Sequence, residues 1–170
     1  MFKVFSSVLA LPKPEQDILS QKAKAPFFRD ALTAKVTQQQ LSPSQLQYAI
    51  FNYMPNWVNQ LMNLRNKIVK LFGFDVGKNN MRPEKAELEE GDQAGFLTIS
   101  EKYDDEIISH AEDKHMSFYI SVKKQNDTVI VSTLVNQKTL IGRVYVNAIL
   151  PFHYVIARVV IYNAIKAKRI

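Results

Sequence analysis

The sequence predicts an α+β fold: a curved antiparallel sheet wrapped around a long C-terminal helix, with two short helices after the first strand. Three features carry that expectation. Ser42-Pro43-Ser44-Gln45 opens a stretch whose apolar residues recur at helical spacing, across 94–136 the period falls to two, and from about residue 140 it becomes helical again. Helices placed before and after an antiparallel meander pack as a layer on one of its faces.

Residues 1–28 read as an irregular lead-in to one domain over 29–170. The apolar run after Met1-Phe2-Lys3 superficially resembles a secretory leader, but Pro12 and Pro14 follow it and no Ala-x-Ala-like site does. An extended segment on the surface, or paired at a sheet edge, is the expectation. Residues 30–36 form the first strand. Ser42 then caps a helix with Pro at its first position and Gln45 reaching back to the cap. That helix runs to about Tyr53, and Pro55 opens a second one, in which Trp57, Leu61, Leu64, Ile68 and Leu71 form one stripe and Gly73 is the stop. The polar run 78–92 reads as a long exposed connection.

Four strand-length runs follow, at 94–103, 106–112, 115–124 and 128–136, separated by Asp104-Asp105, Asp113-Lys114 and Gln125-Asn126-Asp127. In the third, Met116, Phe118, Ile120 and Val122 alternate with His115, Ser117, Tyr119 and Ser121, so one face is expected buried and the other wetter. Residues 140–168 are helical in spacing, with Pro151 as a kink or break and Lys166, Lys168 and Arg169 where cations suit a helix end. The stretch 144–157 has no formal charge but is shorter than the about 20 residues of a membrane span. It reads as a buried helix of a soluble protein, and no membrane span is expected.

Composition narrows the class. With 170 residues, 46% hydrophobic and 22% charged, and no cysteine, the chain is neither disordered nor a disulfide scaffold, and cysteine-ligated zinc is excluded. A cytoplasmic location is the default expectation. The net charge of +6 is segregated: residues 1–82 carry net +7, residues 83–114 net −8 and residues 115–170 net +7. A nucleic-acid binder interleaves cations with exposed aromatics on one surface, whereas here the aromatics fall on apolar stripes. No nucleic acid is therefore expected, and the dipolar charge suits self-association or a charged cavity mouth. No nucleophile motif, phosphate-binding loop or dinucleotide fingerprint is present, and five glycines leave little scope for one. No cofactor is expected.

Asp113 and His115 lie two apart, on one face if both are in the strand. Three readings stand: a turn aspartate beside a histidine hydrogen-bonded at the strand start, a polar anchor in a ligand pocket, or part of a metal site. The last lacks the three or four ligands zinc needs, so no metal is expected. Arg143 could grip a ligand carboxylate through its planar fork or pair with an acidic turn. His153, ten residues on, is not tightly cofacial with it. Arg65-Asn66 could tie the second helix to the sheet rim or touch a ligand. The aromatic set Trp57, Phe96, Phe118, Tyr145 and Phe152 is core, or the lining of a gap in that core.

Several strings resemble a family in their order and spacing: Leu64-Arg65-Asn66 before Leu71-Phe72-Gly73, Asp113-Lys114-His115, Ser132-Thr133-Leu134-Val135, Gly142-Arg143-Val144-Tyr145 and Pro151-Phe152-His153. Over residues 28–166 the chain resembles a bacterial domain-of-unknown-function family whose members occur alone or fused behind NAD-dependent epimerase-like domains. That family is similar to the START and birch-pollen-allergen-like (SRPBCC) superfamily, whose helix-grip fold holds apolar molecules between sheet and C-terminal helix. Where the family commonly carries an acidic residue and an arginine, this chain has Ser117 and Tyr119, so no charge pair is carried over. The resemblance implies a small apolar or amphipathic ligand in a cavity lined by Trp57, Phe96, His115, Phe118, Arg143, Tyr145, Phe152 and His153. Two alternatives remain: a cyclase- or hydratase-like enzyme using a cavity histidine, or a non-catalytic protein that forms a homo-oligomer or meets a reductase-like partner.

Overall fold

A computed structural model describes residues 2–12, 17–70 and 81–170. Its elements are α1 (Phe2–Ser7), β1 (Val8–Ala10), α2 (Ile18–Lys22), β2 (Phe27–Lys35), α3 (Pro43–Phe51), α4 (Asn56–Lys70), β3 (Gln93–Ala94), β4 (Leu97–Lys102), β5 (Glu106–Glu112), β6 (Met116–Gln125), β7 (Thr128–Gln137) and α5 (Leu140–Lys166). The seven strands form one curved antiparallel sheet in the order β1-β2-β7-β6-β5-β4-β3. The architecture is α+β, with a long C-terminal helix against the sheet, consistent with a helix grip. The stop expected at Gly73 lies outside the described residues.

Local chemistry explains the elements that were legible. Ser42 accepts from the Gln45 amide while the Gln45 side chain accepts from the Ser42 amide, closing a capping box at the start of α3. The β6–β7 hairpin pairs Gln125 with Thr128 and turns through Asn126, whose φ of 52° asparagine tolerates better than most residues do. Strand alternation then sends Ile107, Ile120, Val122 and Val131 to one face, where they meet Leu46 and Ile50 of α3 and Val160, Ile161 and Ala164 of α5 in the main core.

Four expectations are corrected. The lead-in is not irregular throughout: it carries α1, β1 and α2, and β1 supplies the edge pairing, with Val8 opposite Ala34. The second face of the third run is not wet, since Ser117, Ser121 and His115 are all buried. Along that face α2 lays Leu19 against Ile108, Leu134 and Tyr119, forming a smaller core. Asn136 clamps this segment, accepting from the Lys24 amide at 2.9 Å and donating to the Lys22 carbonyl at 3.0 Å. In the connection before β3, Pro83 and Leu88 are buried, and the Ser44 hydroxyl donates to Ala86 and accepts from the Leu88 amide. Finally, α5 runs unbroken through Pro151, and its first part is not a buried helix. Leu140 is 73% exposed, Val144 63% and Phe152 57%, because only one side of this half touches the sheet.

Candidate functional site

Arg65, Asp113, His115 and Tyr145 of the family-like strings lie where α4, the β5–β6 turn and the start of α5 come together. Asp113 Oδ1 accepts from the His115 amide at 2.7 Å and the Met116 amide at 2.9 Å, an aspartate turn that sets His115 at the strand entrance. His115 Nδ1 lies 2.9 Å from Thr139 Oγ1, and that hydroxyl caps α5 by accepting from the Gly142 amide at 3.2 Å. The Lys138 amide donates to the His115 carbonyl at 2.9 Å. At Gly142 the helix backbone comes so close that a Cβ would stand 2.4 Å from the His115 carbonyl oxygen. Only glycine fits without displacing the turn.

One residue triplet further along α5, Tyr145 accepts a hydrogen bond from Arg65 Nε of α4, and the guanidinium carbon lies 5.1 Å from its ring centre. Arg65 Nη1 also donates to Asn66 Oδ1 at 2.7 Å, and Asn66 is buried. Burial pushes the Tyr145 hydroxyl above the usual tyrosine value, with Asp113 adding to the rise, while Arg65 works the other way. The hydroxyl is thus held protonated. Arg65 is half-buried and makes no ion pair among the described residues. A planar, pre-oriented guanidinium that has no ion pair among the described residues is suited to bind a carboxylate from outside.

The other site expectations fall in separate places. His153 donates from Nε2 to Asp30 Oδ2 of β2 at 2.9 Å, and its ring stands edge-on to Phe28 with centres 5.4 Å apart. Phe96 and Phe118 stack at 6.1 Å against the main core. Trp57 on α4, and Arg143 and Phe152 on α5, are exposed. Of the eight residues expected to line a site, His115 and Tyr145 therefore share the polar cluster, and Phe96 and Phe118 form a pair. Thr139 and Asp30 were not singled out as site residues. Thr139 had a signal, a threonine directly before an apolar helical run. Asp30 had none, because its partner lies far away along the chain.

An open depression of about 380 Å³ lies elsewhere, lined by Gln38, Leu41, Gln45, Tyr48, Ala49, Tyr53, Ala86, Lys168 and Arg169. It contains none of the expected residues. Arg169 lies over the Tyr53 ring at 4.7 Å and donates from Nε to the Ala49 carbonyl, tying the chain end to α3. Among the described residues no group of three or more His, Asp or Glu side chains could hold a metal ion.

Residues 23–160 match the model of the family described as "Protein of unknown function (DUF2867)". No curated protein and no solved structure matches the chain.

Proposed function

The chain belongs to the DUF2867 family, and from that premise we propose that it binds a small amphipathic molecule bearing a carboxylate or a similar planar anion. Arg65 carries the reading: its guanidinium is half-buried, oriented by Tyr145 and Asn66, and opposed by no internal carboxylate among the described residues. Beside it on α4, Leu64 exposes apolar surface for the rest of the ligand. The element order supports kinship with the helix-grip domains of the START-like superfamily, in which apolar ligands lie between sheet and last helix. A cytoplasmic single-domain protein, alone or beside a reductase-like partner, is the proposed setting.

The test is displacement of an anionic apolar fluorophore by fatty acids and by the corresponding alcohols, with native mass spectrometry of the purified chain. Wild type binds the acid in preference to the alcohol. Arg65→Gln weakens acid binding about tenfold, the loss of one charge-assisted contact, while alcohol binding and thermal stability change little. Equal binding of acid by both proteins overturns the reading.

A second reading, an enzyme that moves a proton, is favoured by the Asp30–His153 pair, in which a carboxylate orients an imidazole. Turnover of a ligand found in the same screen, lost in His153→Gln, distinguishes it from binding alone.

A further inference from the structure

The least accounted-for surface of the molecule is the outward half of α5. From Leu140 through Val144, Ala148, Pro151 and Phe152 to Val155, successive turns of one helix face are exposed and apolar. Ile141 and Tyr154 flank them, and the most apolar window of the helix is only 17% buried. A soluble monomer rarely leaves such a continuous apolar strip in water. By length and composition α5 could cross a membrane. Its second half cannot leave the protein, however: Val160, Ile161 and Ala164 lie in the main core, and Asn163 donates to the Tyr53 carbonyl at 2.7 Å. On the side opposite the exposed strip, Gly142 and Val146 are buried.

We propose that this face beds into the surface of an anionic lipid bilayer, with α5 lying in the plane of the interface. Charge decides the occupant. No Asp or Glu follows Asp127 in the sequence, so α5 offers the membrane cations only. Arg143 is exposed on α5, Lys67 and Lys70 on α4, and Lys3 on α1, and none of the four has an ion-pair partner among the described residues. The carboxylates of the acidic segment are largely spent internally: Asp92 on Lys85, Glu89 on Lys102, Glu101 on Lys22, Glu112 on Lys138 and Asp105 on Lys123. A second copy related by two-fold symmetry would present the same α5 face, which carries no carboxylate to pair with Arg143. Lipid phosphates supply that charge. Exposed Phe152 and Tyr154, with Trp57 on α4, are residue types that settle at the headgroup boundary.

The proposal does not rest on the ligand reading, and its test is separate. The full chain is sedimented with vesicles of phosphatidylcholine alone and of phosphatidylcholine with about one-third phosphatidylglycerol. The expected result is binding to the anionic vesicles, weakened by added salt, and much weaker binding to the neutral ones. Val144→Glu and Phe152→Glu change exposed side chains and leave the core intact. Each reduces vesicle binding at least about tenfold, and Arg143→Glu narrows the preference for anionic lipid. No binding to anionic vesicles, or binding that Phe152→Glu leaves unchanged, overturns the proposal. So does a stable lipid-free dimer that Val144→Glu converts to monomer, which would make a second copy the occupant.

Discussion

Gly142 shows how one residue can set the distance between two elements. Alanine there would gain about 1 kcal/mol of helix propensity over glycine, yet its Cβ would meet the His115 carbonyl oxygen at 2.4 Å. The two nearest atoms, the carbonyl oxygen and carbon of His115, are backbone, so neither can swing aside as a flexible side chain would. Gly142→Ala is expected to destabilise the fold by about 1–3 kcal/mol, the range for overpacking a tight site, as read from urea unfolding. The His115–Thr139 contact should loosen with it, visible as a changed imidazole resonance. Nothing local in the sequence distinguishes this glycine from a simple helix-end glycine. By contrast, the Ser42 capping box was legible because all its partners lie within four residues.

The element whose role changed most is α2, with the segment around it. Five residues long, it covers the second sheet face with Leu19 and reaches β4 through the Lys22–Glu101 ion pair. Burial pushes the Glu101 carboxyl up, but hydrogen bonds from Lys22 and Tyr103 outweigh it, and the net result lies below the usual glutamate value. A carboxyl lowered in the folded state adds stability above its unfolded value and loses it as pH falls through the folded one. The pair should therefore hold α2 in place at neutral pH and release it as pH falls from the ordinary glutamate region to below it. Hydrogen exchange over residues 17–24, compared at neutral and acid pH after correction for intrinsic rates, should show protection lost on the acid side. Lys22→Ala should show less of that difference.

At the scale of the molecule, the sheet has two packed faces, and the second depends on the lead-in. Leu19 is fully buried, and Leu19→Ala should cost about 2–4 kcal/mol, as truncating a buried leucine does. Urea denaturation of the whole chain checks this, and a loss below about 0.5 kcal/mol, the level of an ordinary surface change, would mean that α2 is not part of the cooperative fold. The sequence by itself determined the α+β class, the four strands of the meander to within a few residues, the α3 cap and the start of α5. Each of these rests on periodicity or on contacts only a few residues apart, which a linear reading captures. Only the tertiary structure decided which sheet face α2 covers, that Arg65 reaches Tyr145, that His153 turns to Asp30, and that the most apolar helix half stands outside the core. Those outcomes depend on distant segments competing for the same surface. A hydrophobic pattern states that a face avoids water, but the geometry of its neighbours decides whether protein covers that face or leaves it for another partner.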